Sequence, residues 1–354
     1  MKMPYDSSDL DAIRYLPVLR ARSAELRAYR ELRQSTRDLL LPVISVGKIG
    51  RMTQLERVLA RIQNDVGRCF LDLNIIPEQA CDDYERLCDH TNGYSAWREF
   101  ISSHEAAAPV ALLHTSAPSR SSVRQIMRME REHGVVAIRS RNPSSELALL
   151  ESALSAVDDV ANLLIILDFG YIRQSMEARQ IEARRTISAL RSIEPTTRIA
   201  VCATSFPRSV TAFGDGGAAL DILERDFHSQ LGGDQVAIYG DHGSIYSEPF
   251  EPMIARFVPR IDYALEYQWI FRRRRQEDGG YVECASQITQ LADWDNEFAD
   301  ECWGANIIRQ TAGGTIPDGF NSPANWIAAR SNMHMERQIA LAMTPVEEDD
   351  VEDF

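Results

Sequence analysis

Long apolar runs and paired cysteines are both missing from this sequence. No stretch approaches the roughly 20 consecutive apolar residues that span a bilayer, and the N-terminal residues lack the apolar core of a secretion signal. The six cysteines include no CxxC pair, which argues against a disulfide framework and against a zinc finger or ribbon. We therefore expect a cytoplasmic protein without a membrane anchor.

The signatures of several enzyme classes are missing as well. There is no HxH or HExxH motif for a hydrolytic metal centre, no GxSxG nucleophile turn and no phosphate loop of the Walker type. Segment 214–217 is glycine-rich but lacks the lysine and the serine or threonine of a phosphate loop, and it is interpreted as a flexible loop. The sequence predicts neither a metal nor an organic cofactor.

Basic residues are fewer than acidic ones. Lys and Arg number 38 against 52 Asp and Glu, which gives a formal net charge of −14 and argues against general nucleic-acid coating. Part of the acidity lies in residues 341–354, which we predict to be a disordered acidic tail. The basic run 272–275 is interpreted as the charged end of an exposed strand, so nucleic acid is not an expected partner.

Short apolar segments rich in β-forming residues recur eight times along the chain. Each is followed by enough residues for one crossover helix, and two of these intervals carry clear helical periodicity. The Asn142-Pro143 pair is typical of a helix start, and Gly134 of a helix end before a strand. The eight segments are 15–19, 42–46, 69–73, 110–113, 135–138, 163–167, 199–203 and 235–239.

The apolar segments are continuous rather than alternating, which indicates parallel strands that are buried on both faces. Eight strand–helix units match the count of a (β/α)8 barrel. An open, doubly wound sheet is the alternative, but such sheets usually have a glycine-rich first turn, and residues 20–23 do not provide one. We therefore predict an α/β fold with a TIM-like barrel.

The rhythm of the sequence changes after Glu248. Apolar and polar residues alternate from 261 to 271, which is typical of a half-buried strand, and the apolar stretch 253–258 before it suggests a hairpin. The remainder resembles helices and loops packed on a barrel. We accordingly predict a barrel over 1–247, a C-terminal hairpin and helical region over 248–340, and the tail.

Polar side chains follow the predicted strands, where the βα loops of a barrel carry function. Several are cationic, and together they predict a pocket for an anion or a carboxylate-bearing peptide. Singly, each has a structural alternative: Asp72 and Asp168 can pair with arginines across the mouth, and His114 can be a hydrogen-bonded structural imidazole. The residues are Arg20, Lys48, Asp72, His114, Arg139, Arg141, Asp168, Ser205, Tyr239 and Asp241.

A series of short blocks extends in order over nearly the whole chain apart from the tail. The blocks include Tyr15-x-Pro-x-Leu-Arg20, Leu41-Pro-Val-Ile44, Ser205-Phe-Pro207, Pro259-Arg-Ile-Asp-Tyr263, Cys302-Trp-Gly304 and Ser322-Pro-Ala-Asn-Trp326. In order and spacing they resemble the bacteriophage beta protein family. The family is named after a phage protein that suppresses a killer protein encoded beside it, so the resemblance implies an immunity, antitoxin or phage-defence role. It implies no catalytic residues.

Two functions remain open at this point, and a third, nucleic-acid binding through residues 272–275, is the weakest because of the net acidity. The first is a toxin-neutralising binding protein whose acidic surface suits a basic, co-encoded effector, with Tyr263, Tyr267, Trp269 and Phe271 on one strand face as aromatic anchors. That face can instead simply cover the barrel. The second is a barrel enzyme that holds an anionic small molecule or nucleotide by Arg20, Lys48, Arg139 and Arg141. In that case His114 or Asp168 is the acid or base, and Asp72 orients it.

Overall fold

The computed structural model describes residues 5–74, 76–104, 106–114, 117–249 and 257–344. Eight parallel strands form a closed barrel, which confirms the predicted (β/α)8 architecture and excludes the open sheet. The last barrel strand pairs with both the seventh and the first, and this pairing closes the ring. The barrel strands are β1 (Tyr15–Arg20), β2 (Val43–Val46), β3 (Cys69–Leu73), β4 (Ala107–Ala111), β5 (Val136–Ser140), β6 (Leu163–Tyr171), β7 (Arg198–Thr204) and, after an excursion through β8 (Gly217–Asp221), β9 (Ile238–Asp241).

Two predicted strands are displaced from their observed positions. The fourth begins at Ala107 rather than Val110. A proline normally argues against a strand, so the sequence places the strand after Pro109, but Pro109 lies inside it. The eighth begins at Ile238 rather than Gln235. Gly232 and Gly233 adopt positive φ angles and start a short 3₁₀ turn at the predicted strand start.

Helices connect the barrel strands and form the outer layer. As expected, α8 has Asn142 as its N-cap and Pro143 in its first turn, and α7 ends at Gly134, which has a left-handed φ of 79°. Apolar residues of the strands and helices form the large core between the two layers. The helices are α1 (Ser7–Asp11), α2 (Ser23–Arg30), α3 (Gln34–Arg37), α4 (Leu55–Asp65), α5 (Tyr84–Leu87), α6 (Ser95–Ser102), α7 (Ser119–His133), α8 (Pro143–Leu154), α9 (Met176–Ile193) and α10 (Leu223–Gln230).

The alternating segment 261–271 is two strands rather than the single strand predicted. The chain reverses after β10 (Arg260–Ala264) and returns as β11 (Gln268–Arg273), with the Leu265 N–H donating to the Gln268 carbonyl at 2.8 Å. The alternation of the sequence continues through a two-residue turn, so the period alone does not reveal the reversal. Residues 250–256, which include most of the stretch expected to form the other hairpin strand, lie outside the described residues.

A strand from the barrel half of the chain completes the small sheet. β8 pairs antiparallel with β11, which gives the order β10-β11-β8. The glycine-rich segment 214–217, predicted to be a flexible loop, therefore ends in the first residue of a strand. Because β8 leaves the barrel between β7 and α10, the sheet joins residues that lie on either side of position 247.

Four helices complete the C-terminal region and its own apolar core. The last helix is buried along most of its length. Its Glu336 accepts hydrogen bonds from the backbone and side chain of Arg33 and from Thr36, so the helix also packs against the barrel. No helix among the described residues combines the length and apolarity that a membrane crossing requires. The helices are α11 (Gly280–Thr289), α12 (Asn296–Glu301), α13 (Trp303–Ala312) and α14 (Pro323–Met343).

Candidate functional site

A cavity of about 290 Å³, lined by both charged and apolar residues, opens at the C-terminal ends of the barrel strands. Its walls come from β1, β2, β5 and β6, from the segments that follow β3, β5 and β9, and from α2 and α9. Barrel proteins place their functional groups at this end of the strands. The wall carries both acids and bases. Its charged or ionisable residues are Arg20, Glu25, Arg139, Arg141, Asp168, Arg179, His242, Tyr246 and Glu248.

Arg139 is the centre of a buried network beneath the cavity. Its Nε and Nη2 groups donate to Asp168 Oδ2 at 2.9 and 2.6 Å, and its Nη1 group donates to Asp72 Oδ2 at 2.7 Å. Ser45 Oγ accepts a further bond from Nη1 at 2.9 Å. Burial opposes a charge here, but Asp168 and Asp72 outweigh it and raise the pKa of Arg139, so the guanidinium stays charged.

Asp168 connects this network to a histidine. The Nε2 atom of His242 lies 3.0 Å from Asp168 Oδ1, and the Gly170 N–H donates to the same oxygen at 3.0 Å. Burial alone would raise the pKa of Asp168, but His242 and Arg139 hold it well below its usual range. The carboxylate is therefore a fixed negative charge that orients the imidazole, and both groups border the cavity.

Arg141 and Arg20 place positively charged side chains in the cavity wall. Arg141 Nη2 donates to Asp72 Oδ2 at 2.6 Å, and about a quarter of the side chain remains exposed (26%). Burial and the nearby Arg139 lower the pKa of Arg141. Arg20 is paired with the buried Glu25 at 3.2 Å. Within the described part of the chain, Asp72 is the one hydrogen-bond acceptor of the Arg141 side chain, although a guanidinium carries five donors.

Asp241 belongs to a separate, sealed network. Its carboxylate accepts bonds from the hydroxyls of Tyr15 and Tyr239 at 2.7 and 2.9 Å, from the Gly243 N–H at 2.7 Å, and lies 2.8 Å from His334 Nε2 on α14. Burial raises its pKa, but His334 and these donors prevail and lower it to about 2. None of the four side chains lines the cavity. Asp241 and Tyr239 therefore join the barrel to α14.

Ser205 also has a local structural partner. Its N–H and Oγ groups both donate to the buried Glu224 at 2.5 Å, and its Oγ accepts from the Leu223 N–H. These bonds fasten the end of β7 to the start of α10. Ser205 does not border the cavity.

Lys48 and His114 lie on the surface, away from the cavity wall. Lys48 is two residues past the end of β2, and His114 is three past the end of β4, so neither position is fixed by strand pairing. The structure thus brings Arg20, Arg139, Arg141 and Asp168 to the cavity and places Asp72 directly beneath it. His242 takes the place at the cavity that the sequence offered to His114.

The four aromatic residues predicted to anchor a partner do not form one exposed face. Tyr263, Trp269 and Phe271 are fully buried in the C-terminal core, and Tyr267, in the turn, is 54% exposed. In the hairpin, Tyr263 lies opposite Ile270 and Phe271 opposite Asp262. Because paired residues share a face, Tyr263 points away from Trp269 and Phe271. The expectation of an exposed aromatic surface is wrong, because the turn reverses the chain.

The fold and the site define the class of this protein: a (β/α)8 barrel with a buried charged network at a cavity beside the C-terminal ends of its strands. The family model described as Beta protein matches residues 15–340. Protein beta of Enterobacteria phage P4 is 36% identical over 335 residues, which cover 93% of this chain and 93% of that protein. The chain belongs to the Beta protein family, which confirms the resemblance inferred from the ordered sequence blocks.

Among solved structures, the enoyl reductase domain of MlnA from the macrolactin biosynthesis cluster of Bacillus amyloliquefaciens aligns with 97% of this chain and 86% of its own. The sequence identity is 12% and the TM-score 0.39. A likeness of this degree supports no conclusion about function.

Proposed function

We propose that this protein neutralises a co-encoded effector or serves as a phage-defence component, and that it acts by binding an anionic group in the cavity at the barrel mouth. The biological role is the one that the family resemblance implies. The molecular activity rests on one observation: arginines held by a buried network form part of the cavity wall.

The network is arranged to hold arginine charge in place for a ligand. Arg139 is locked between Asp72 and Asp168, whereas Arg141 bonds only Asp72 within the described residues and remains partly exposed. An incoming carboxylate or phosphate can accept bonds from Arg141 without disturbing the Arg139–Asp168 pair. Guanidinium groups favour such bidentate contacts. A volume of about 290 Å³ is at the small end of ligand pockets, so it suits a small molecule or a single peptide terminus.

A second candidate is a reaction on that anionic ligand. The observation that favours it is the His242–Asp168 pair, in which an imidazole at the cavity wall lies 3.0 Å from a buried carboxylate. This is the arrangement of a general base with an orienting partner. Asp168, whose pKa is held low, orients His242 rather than exchanging protons itself. His242 would then have the role that the sequence offered to His114.

We propose that the partner protein is basic, because this chain is strongly acidic. The net charge of −14 favours encounter with a basic effector, and an acidic side chain or C-terminal carboxylate of that effector can enter the cavity. The buried aromatics of the hairpin are not available for this contact.

The test compares Arg141→Gln with Arg131→Gln. Arg131 lies on the exposed surface of α7 and forms an exposed ion pair with Asp158. Titration with inorganic phosphate and with a short peptide ending in a free carboxylate measures anion binding. Co-expression with the neighbouring gene product measures protection. We expect Arg141→Gln to weaken binding of at least one probe about tenfold, as the loss of one charge-assisted bond implies, and to reduce protection. Arg131→Gln should change neither. Equal binding and protection by the two variants would refute the cavity as the working site.

His242→Gln separates binding from reaction. If the protein works by binding alone, protection by this variant follows its binding, so it is kept wherever the effector and the anion are still bound. Loss of protection from a variant that still forms the complex and still binds the anion would show that a reaction takes place at the barrel mouth.

A further inference from the structure

We propose that Asp168, Cys202 and His242 form a binding site for a zinc ion at the inner end of the cavity. The proposal rests on the barrel-mouth cavity being the working site, and it gives that site a metal that the sequence did not predict. Each of the three side chains is buried, and a carboxylate oxygen, the Cys202 sulfur and an imidazole nitrogen all lie within 4.8 Å of one another.

The barrel register brings these three residues together. Asp168 on β6 is the direct partner of Cys202 on β7, and Cys202 is in turn the partner of Gly240 on β9. His242 follows Gly240 by two residues and lies directly after the end of that strand. Two neighbouring strands and the residue that follows a third therefore each bring one ligand atom to the same place. The residues are far apart in the chain, which is why no linear metal motif is visible.

The donor set suits zinc. A thiolate sulfur, an imidazole nitrogen and a carboxylate oxygen are the three ligand types that Zn²⁺ takes in proteins. Asp168 and His242 border the cavity, and Cys202 lies behind them in the barrel interior. With three protein ligands, the fourth coordination position would open toward the cavity, as in catalytic rather than structural zinc sites.

Arg139 is compatible with this arrangement. It donates to Asp168 Oδ2, whereas the oxygen beside His242 is Oδ1. Carboxylate ligands of metals are commonly held by such outer hydrogen bonds. With zinc bound and Cys202 deprotonated, the barrel mouth would carry a small excess of positive charge, which favours an anionic ligand at the open position. The competing interpretation is that Cys202 is an ordinary core thiol beside an Asp168–His242 hydrogen bond.

The experiment loads the purified full chain with zinc, removes the excess and measures bound metal by elemental analysis. Cobalt(II) loaded in its place reports on the ligands, because sulfur ligation gives thiolate-to-cobalt charge-transfer absorption in the near ultraviolet. The variants are Cys202→Ser and His242→Gln. The matched control is Cys284→Ser, a buried cysteine in the other core. We expect one zinc per chain in the natural protein and in the control, and at least about 100-fold weaker binding in the two ligand variants.

A natural protein that retains no zinc after loading, or binds cobalt without a thiolate band, overturns the proposal, and this readout does not depend on how the variants fold. Undiminished zinc in folded Cys202→Ser overturns it as well. The anion-binding proposal fails separately. If no metal binds but Arg141→Gln still weakens phosphate binding, only the zinc site is lost. If zinc binds but Arg141→Gln does not weaken phosphate binding, only the proposed function is lost.

Discussion

Asp241 shows how much of this structure depends on single buried charges. Two tyrosine hydroxyls, one backbone N–H and one imidazole converge on its carboxylate, and water has no access to it. Such a charge is tolerated in a protein interior only when all its partners are present. The sequence places Asp241 at a strand end, but it does not reveal that the fourth partner is His334, almost a hundred residues later.

Replacing Asp241 by Asn should therefore lower the free energy of unfolding by about 3–5 kcal/mol, because it removes a buried carboxylate while leaving its buried hydrogen-bonding partners in place. Urea unfolding monitored by circular dichroism measures this. Asp215→Asn is the control, because the Asp215 side chain is fully exposed where it pairs with Arg273, and we expect a change within about 0.5 kcal/mol. A similar cost for both variants would contradict a structural role for the sealed network.

His133 should make the stability depend on pH. It is buried at the end of α7, 3.2 Å from Ser102 Oγ, and burial together with the nearby Arg98 lowers its pKa to about 4. In the unfolded chain the pKa is about 6.5. Below pH 6.5 the imidazole binds a proton in the unfolded state but not in the folded state. The contribution of His133 to the free energy of unfolding is therefore fully present above pH 6.5 and is lost as the pH falls toward 4.

Between pH 7 and pH 5 this single group should cost about 2 kcal/mol of unfolding free energy. The measurement is urea unfolding at both values for the natural protein and for His133→Gln. Other groups titrate in the same range, so the quantity of interest is the difference between the two pH dependences. If both proteins lose the same stability on acidification, His133 is not the group responsible.

The hairpin is the element whose sequence and structure differ most. Its alternating pattern is real, but the turn places odd-numbered residues before and after it on opposite faces, and both faces are covered. Trp269 packs edge-to-face on Phe206 with ring centroids 5.0 Å apart. Tyr267, two residues earlier, lies in the exposed turn.

Trp269→Ala should therefore destabilise the protein by about 3–5 kcal/mol, the usual cost of deleting a buried aromatic. Tyr267→Ala should change stability by less than about 0.5 kcal/mol. Thermal or urea unfolding of both variants decides the matter. Similar costs for the two variants would mean that both side chains lie on one covered face of a single strand, as the alternation suggests.

These elements also show what a sequence can predict. The barrel strands are visible because parallel strands under helices are apolar throughout, and that signal is local. Arg139 and Asp168 are predictable as site residues because each directly follows such an apolar segment of the sequence. Cys202 and His242 are harder to identify, because their significance depends on which strands are neighbours and in which register, a property of the closed barrel rather than of any segment.

At the scale of the whole molecule, α14 and β8 tie the two cores together. On the barrel side, Glu336 accepts hydrogen bonds from Arg33 and Thr36, and His334 lies within hydrogen-bond distance of Asp241. On the other side, Arg330 Nη1 donates to Asp262 Oδ2 of β10 at 2.7 Å. β8 adds backbone hydrogen bonds between the two parts of the chain. The barrel and the C-terminal region should consequently unfold as one cooperative unit.

Tryptophan fluorescence tests this directly. Four of the five tryptophans, Trp269, Trp294, Trp303 and Trp326, lie in the C-terminal region, and one, Trp97, lies in the barrel. Fluorescence thus reports mainly on the C-terminal region, whereas far-ultraviolet circular dichroism reports on the whole chain. We expect the two unfolding curves to coincide in urea. Separate midpoints would show that the two regions are independent.

The position of α14 after every barrel strand has a consequence for synthesis. A ribosome completes every barrel strand long before it adds the helix that supplies His334 and Glu336. Until then the nascent barrel holds Asp241 without its imidazole partner and leaves apolar surface of the barrel uncovered. Domains often fold from the N-terminus while the chain is being made, but this barrel should reach its stable state only once α14 has emerged from the ribosome. Chains truncated before α14 should accordingly be degraded or aggregate rather than accumulate as folded barrels.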